Sequence, residues 1–148
     1  MCINTPTLFS EEIFRDHRGT IASFNSLDLS SFKRTYFITH PNTIMVRAWQ
    51  GHPHEAKLFK VTKGAFAVGF VQIDDFQRPS NDLKADFRIL TENRNEFFLI
   101  PKGYANGLKA LHDNSTIQVF SDFYLDESIN EKIRFSPDNW LNWNIINL

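Results

Sequence analysis

The chain has 148 residues, 42% of them hydrophobic, and a formal net charge of -1, which suffices for one domain with its own core. This balance gives no overall field that would draw the protein to nucleic acid or to an anionic membrane. No apolar run approaches the roughly 20 residues of a membrane span, and residues 1–6 lack the pattern of a secretory signal. The one cysteine, Cys2, cannot form an internal disulfide. These features predict a single cytoplasmic domain over residues 1–148, without membrane or nucleic-acid partners.

Segments rich in β-branched and aromatic residues recur along the chain between turn residues, which is typical of β-strands. In chain order, the predicted strands cover residues 34–38, 43–49, 57–61, 65–73, 87–90, 96–100, 105–111 and 116–124. A polar stretch predicts a loop over 74–86, and a helical turn is expected within 126–132. Many short strands at this spacing predict an all-β sandwich or barrel.

A patch of cations and imidazoles extends from the second predicted strand to the start of the third. It contains Arg47, Gln50, His52, His54 and Lys57. Residues two apart in an extended chain point to the same face, so Gln50, His52 and His54 would share one face. Such a patch suits an anionic substrate whose protons are to be moved, because cations hold the charge and an imidazole carries protons.

Short motifs follow one another along most of the chain: Asp16–Gly19, Arg47–His52, Lys57–Val61 with Gly64, Ile100–Gly107, Ser121–Tyr124, and Phe135–Pro137 with Trp143. In this order they resemble the motifs of the cupin family of dTDP-4-dehydrorhamnose 3,5-epimerases and their smaller relatives, the dTDP-sugar 3,4-ketoisomerases. The resemblance implies an all-β fold, the cupin double-stranded β-helix or jelly roll, in a single domain. It also implies a homodimer that exchanges edge strands, and a role in deoxysugar and cell-surface polysaccharide synthesis.

The same resemblance implies a site for a nucleotide-sugar substrate. Arg18 and Arg47 would contact the diphosphate, whose oxygens match the guanidinium fork. His52 would remove a proton next to the ketone of a 4-keto-6-deoxyhexose, while Lys57 and Gln50 would stabilise the enolate oxygen. The expected reaction is 3,5-epimerisation or 3,4-ketoisomerisation of a dTDP-sugar, with no metal or other cofactor.

Three amides stand where the family carries reactive side chains. In an ungapped match, Gln50 occupies the position of the catalytic histidine, Gln118 that of the catalytic tyrosine, and Asn106 that of another histidine. A gap of three residues would instead bring His52 into the catalytic position, and this alternative stays open. Gln118 and Asn106 are expected to point into the barrel and contact the substrate, since buried amides need hydrogen-bond partners.

Trp49 and Tyr124 complete the predicted substrate contacts, although each would also suit a packing role. Two other functions are kept as alternatives. The missing catalytic histidine and tyrosine equivalents favour a non-catalytic cupin that binds a sugar nucleotide. A metal-dependent cupin would use His52 and His54, but Glu55 follows His54 directly instead of lying several residues on, and no metal site is predicted.

Overall fold

Twelve short strands and one helix are present in the computed structural model, which describes residues 3–148 and so leaves Cys2 outside the described range. The strands are β1 (Thr7–Ser10), β2 (Ile13–Asp16), β3 (Gly19–Ala22), β4 (Arg34–His40), β5 (Val46–His52), β6 (Lys57–Lys63), β7 (Ala65–Gln72), β8 (Asp86–Thr91), β9 (Glu96–Ile100), β10 (Tyr104–Ala110), β11 (Ser115–Ser121) and β12 (Ile133–Arg134). The helix α1 spans Leu125–Glu131, and a 3-10 turn spans Trp143–Ile145. None of the helices within residues 3–148 has the length and apolar character needed to cross a membrane.

The strands form two five-stranded antiparallel sheets and one separate hairpin. The first sheet has the order β1-β9-β6-β11-β4, and the second has the order β12-β5-β10-β7-β8. Strands β2 and β3 pair only with each other. The predicted all-β architecture of two packed antiparallel sheets is confirmed.

The main core lies between the inner faces of the two sheets. Because side chains alternate across a strand, every second residue of the central strands enters it. Burial of each such large side chain contributes about 1.5–3 kcal/mol. The buried members are Phe59, Val61, Phe66, Val68, Leu90, Phe98, Ile100, Tyr104, Leu108, Ala110, Ile117 and Val119.

An aromatic layer from the C-terminal tail covers the outer face of the second sheet. Trp143 packs on this face beside Trp49, with ring centroids 5.3 Å apart. The sheet carries Gly69 and Gly107 beneath it, and a Cβ at either position would lie 2.6 Å from the Trp143 ring. The buried ammonium of Lys109 donates to two tail carbonyls at 2.8 and 3.0 Å. The tail is thus an integral layer of the fold.

The predicted elements differ from the observed ones mainly at their ends. Strand β5 covers Val46–His52 and not 43–49, so it carries the polar patch within the sheet. Strand β11 ends at Ser121, and the chain then enters α1 at Leu125. The strands that were not predicted, β1, β2, β3 and β12, have four residues or fewer and are half-buried or exposed, so their sequences lack a strong apolar pattern.

Replacing Gly69 with alanine should destabilise the protein. The added methyl group would meet Trp143 at 2.6 Å and Trp49 at 3.1 Å, and overpacking of this kind costs about 1–3 kcal/mol. Chemical denaturation followed by tryptophan fluorescence measures the change, with Ser10→Ala at an exposed strand end as the control. A Gly69→Ala variant as stable as the wild type would contradict the close packing of this layer.

Candidate functional site

A cavity of about 480 Å³ lies between the edge strand of the first sheet and one edge of the second, with α1 as part of its wall. Its lining side chains include five Lys or Arg residues and no Asp or Glu. A concave surface with one sign of charge concentrates ligands of the opposite sign. The lining residues are Arg34, Tyr36, Phe37, Ile38, Thr39, Arg47, Gln50, His52, Lys57, Leu125, Ser128, Ile129, Lys132 and Arg134.

Strand β5 brings Gln50 and His52 to this cavity. The strand pairs with β10 such that Gln50 lies opposite Asn106, and both Gln50 and His52 line the cavity. Gly51 between them faces the other way, where a Cβ would lie 3.0 Å from the Phe135 ring. The alternation of the strand therefore separates the polar site from the aromatic layer.

The centre of the site is the carboxylate of Glu55, in the turn between β5 and β6, whose side chain has no exposed surface. Its oxygens lie 3.3 Å from Lys57 Nζ, 3.5 Å from His52 Nδ1 and 3.8 Å from an Arg34 guanidinium nitrogen. Ser128 Oγ donates to the carboxylate at 2.7 and 3.0 Å. The sequence analysis missed this contact, because a glutamate in a turn after Pro53 suggests a solvated side chain.

The buried cluster fixes the protonation of its members. Burial, followed by repulsion from Lys57, lowers the pKa of His52 to about 4, although Glu55 partly opposes the shift. Burial alone would raise the pKa of Glu55, but attraction to Lys57 and the hydrogen bond from Ser128 bring it below its usual value. At neutral pH the imidazole is thus neutral and the carboxylate ionised.

The orientation of the imidazole determines which of its nitrogens is free. Nδ1 of His52 faces the carboxylate of Glu55, which favours the tautomer with its proton on Nδ1. Within residues 3–148, neither ring nitrogen has a hydrogen-bond partner. Both ring nitrogens are buried, and the lone pair on Nε2 has no competing donor among the described residues.

Tyr36 adds a hydroxyl that the sequence analysis did not identify, because an aromatic residue in an alternating strand suggests only packing. Lys57 Nζ donates to Tyr36 Oη at 2.7 Å. An ammonium has no acceptor, so the hydroxyl accepts this bond and keeps its own proton for another partner. The guanidinium carbon of Arg34 lies 4.8 Å from the centroid of the Tyr36 ring.

Two predicted substrate contacts, Trp49 and Tyr124, do not line the cavity. Trp49 is fully buried in the aromatic layer on the outer face of the second sheet, where its indole nitrogen donates to the Asn139 carbonyl at 2.9 Å. Tyr124 is 56% exposed and precedes α1, with Lys33 Nζ 4.9 Å from its ring centroid. Trp49 thus has the packing role, whereas Tyr124 neither lines the cavity nor packs in a buried core.

The two remaining amides lie on different faces. Gln118 does not point into the barrel, because its two chain neighbours occupy the core positions of β11, and its Nε2 donates to Thr35 Oγ1 at 3.2 Å on the outer side. The expectation that Gln118 points into the barrel was wrong, because successive residues of β11 face opposite sides of the sheet. Asn106 is buried on the inner face, opposite Gln50 on the neighbouring strand.

Arg18 and His54 also lie outside the group that lines the cavity. Arg18 is in the turn of the β2–β3 hairpin, with a side chain that is 74% exposed and pairs with Asp16 at 2.6 Å. His54 follows the end of β5, is 75% exposed and lies 3.5 Å from Glu131, so it does not share the face of Gln50 and His52. Within the described part of the chain, no three His, Cys, Asp or Glu side chains are grouped to hold a metal ion.

Solved structures with the same fold carry out sugar-nucleotide chemistry. The chain is similar to an RmlC epimerase from Mycobacterium tuberculosis (TM-score 0.77, 15% identity, 99% of this chain and 78% of the other). It is also similar to a dTDP-4-dehydrorhamnose 3,5-epimerase from Sulfolobus tokodaii (TM-score 0.75, 23% identity, 95% and 81%) and to a 3,4-ketoisomerase from Helicobacter canadensis (TM-score 0.68, 18% identity, 88% and 90%). No protein-family model and no curated protein matches the sequence. The likeness confirms the cupin jelly-roll fold that the motifs predicted.

Acid should destabilise the folded protein through His52. Between pH 6.5 and about 4, the unfolded chain binds a proton at this histidine that the folded chain does not. The free energy of unfolding therefore falls as the pH is lowered through this window, by up to roughly 3 kcal/mol. Between pH 7 and pH 4, the free energy of unfolding from chemical denaturation should change less with pH for His52→Gln than for the wild type.

His112→Gln, at an exposed turn, is the matched control for this measurement. A residual slope is expected in His52→Gln, because burial also lowers the pKa of His40. If the free energy of unfolding depended on pH equally in His52→Gln and the wild type, a neutral buried imidazole would be contradicted.

Proposed function

We propose that this protein is an isomerase that moves a proton next to the ketone of a nucleotide-linked 4-keto-6-deoxyhexose, with a dTDP-sugar as the substrate class. The observation that carries the proposal is an imidazole that lies between a buried carboxylate, 3.5 Å from its Nδ1, and a cavity whose charged lining groups are cations. The fold shared with dTDP-sugar epimerases and ketoisomerases supports the substrate class by analogy. By the same analogy we expect a cytoplasmic role in deoxysugar synthesis.

The substrate diphosphate is held by the cations that do not belong to the Glu55 cluster. Arg47, Lys132 and Arg134 line the cavity and form no ion pair with another group in residues 3–148. Guanidinium groups bind phosphate oxygens in pairs, and lysine binds them as a point charge. These three cations balance the two negative charges of a nucleoside diphosphate sugar and leave one positive charge in excess.

His52 performs the first chemical step. Its Nε2 accepts the proton from the carbon next to the ketone, and the electron pair of that C–H bond moves to the ketone oxygen to give an enolate. The ammonium of Lys57 and the hydroxyl of Tyr36 donate to this oxygen, and the amide of Gln50 supplies a further donor. The ketone itself acidifies the C–H bond, so these side chains suffice for the step.

The second step distinguishes the two isomerisations. In ketoisomerisation, Tyr36 protonates the former ketone oxygen to give an enediol, and then takes the proton of the hydroxyl on the adjacent carbon. His52 returns its proton to the carbon that carried the original ketone. In epimerisation, a donor on the opposite face protonates the original carbon. His52 belongs to the second sheet and Tyr36 to the first. Among the cavity-lining side chains that the structure describes, His52 is the one imidazole and none is a carboxylate, which favours ketoisomerisation.

His52→Gln should abolish the reaction. Gln cannot accept a proton, and loss of a general base lowers the rate by about 10²–10⁴-fold. NMR of dTDP-4-keto-6-deoxyglucose in D2O measures deuterium entry at C3 or C5 and the position of the carbonyl. The control His112→Gln should retain wild-type exchange, and full turnover by His52→Gln would reject the proposed base.

Tyr36→Phe separates the two steps in the same experiment. Exchange next to the ketone should persist at a reduced rate, while formation of the isomerised product is lost. Wild-type protein that binds the sugar nucleotide without any exchange would favour the alternative function, a non-catalytic sugar-nucleotide-binding cupin.

A second copy of the chain is proposed to complete the site. The β2–β3 hairpin exposes Phe14 and Ile21, which are paired across the strands and are 57% and 60% exposed. Strand β4 is the free edge of the first sheet and exposes Phe37 at 61% beside the cavity. Free edges readily pair with another chain, and a hairpin laid across this edge would bring Arg18 to the diphosphate.

Mixing two inactive variants tests this arrangement. Arg18→Ala and His52→Gln chains, refolded together, would form dimers in which one site has both residues intact, and about one quarter of the wild-type sites should be recovered. The homodimers of each variant serve as controls. A monomeric sedimentation coefficient, or no recovery on mixing, would contradict a site shared between two copies.

A further inference from the structure

The closest partner of the buried Glu55 carboxylate comes from α1. Ser128 Oγ lies 2.7 and 3.0 Å from its two oxygens, whereas the nearest atoms of Lys57 and His52 lie at 3.3 and 3.5 Å. Hydrogen bonds beyond about 3.2 Å are weak. The hydroxyl therefore fixes the direction of the carboxylate more closely than the charged neighbours do.

Helix α1 depends on this turn in return. The helix has no buried residue, so apolar packing does not determine its position. Glu131 accepts hydrogen bonds from the backbone N–H groups of His54 and Glu55. Two residues of α1 thus make polar contacts with the turn that carries the carboxylate: Ser128 with the Glu55 side chain, and Glu131 with the backbone N–H groups of His54 and Glu55.

We propose that Ser128 is a positioning residue for proton transfer at His52. Its hydroxyl holds the Glu55 carboxylate against Nδ1 of His52 and against Lys57, which keeps Nε2 of His52 free for the substrate. Ser128 acts through Glu55 and not on the reacting carbon. The inference rests on the proposed function for its kinetic readout.

Removal of the hydroxyl changes the protonation balance of the cluster. The hydrogen bond from Ser128 lowers the pKa of Glu55, so its loss raises that pKa while burial persists. Protonation of Glu55 would remove the group that orients His52, and the acidic limb of the activity profile would move to higher pH. The charged and titratable groups facing this pair from the surrounding elements are Arg34 on β4, Lys57 on β6, Asp122 after β11, Glu131 on α1, and Lys132 after α1.

The test compares Ser128→Ala with Ser128→Thr, which keeps a hydroxyl, and with Asn130→Ala, an exposed change on the same helix. Ser128→Ala should lower kcat for the sugar-nucleotide reaction by about 10-fold or more, leave KM nearly unchanged and shift the acidic limb to higher pH. Ser128→Thr should recover most of kcat, and Asn130→Ala should match the wild type. A lower kcat with an unchanged pH profile would indicate a merely structural role and overturn the proposal.

A second readout needs no substrate. Titration of the His52 ring signals by NMR should give different curves for wild type and Ser128→Ala, since the orientation and charge of Glu55 change beside the ring. If the wild type catalyses no exchange on any 4-keto sugar nucleotide, the proposed function fails, and the His52 titration still decides whether Ser128 controls the cluster. Identical curves in both proteins would overturn the inference.

Discussion

The arrangement of the site depends on one buried negative charge, the carboxylate of Glu55. An ionised carboxylate out of contact with water is strongly unfavourable unless opposite charges and hydrogen bonds compensate it. Lys57 from β6, Arg34 from β4 and Ser128 from α1 converge on it. This requirement explains why Lys57 is only 4% exposed, although lysine side chains usually extend to solvent. The side chains that line the cavity are thus arranged around the Glu55 carboxylate, which does not itself line the cavity.

Burial, more than the charge of Glu55, sets the pKa of the imidazole beside it. The effects of Lys57 and Glu55 on the pKa of His52 oppose each other, and burial dominates. The resulting imidazole is neutral and weakly basic. In the proposed reaction, a bound diphosphate would raise the pKa of His52, because an anion stabilises the imidazolium. Substrate binding would therefore strengthen the base, and the developing enolate would strengthen it further.

The sequence predicts the parts of the site that follow from strand alternation and motif order. Gln50, His52 and Lys57 were expected together, and they line one cavity. Glu55 and Tyr36 were missed because a turn carboxylate and a strand aromatic each have a common alternative, a solvated side chain and a core residue. Gln118 was assigned to the wrong face, since a motif position does not reveal which side of a strand faces the core.

The position of the base along β5 follows from the two faces of that strand. A histidine at position 50 or 52 faces the cavity, whereas one at 49 or 51 would enter the aromatic layer around Trp143. Between positions 50 and 52 the side chains alternate across the strand, so these two cavity-facing positions lie two residues, or about 7 Å, apart. His52 lies at the end of the strand, where the following turn brings Glu55 to its Nδ1. The carboxylate beside the imidazole comes from that turn, and in the proposed reaction Gln50 would be a neutral donor to the substrate.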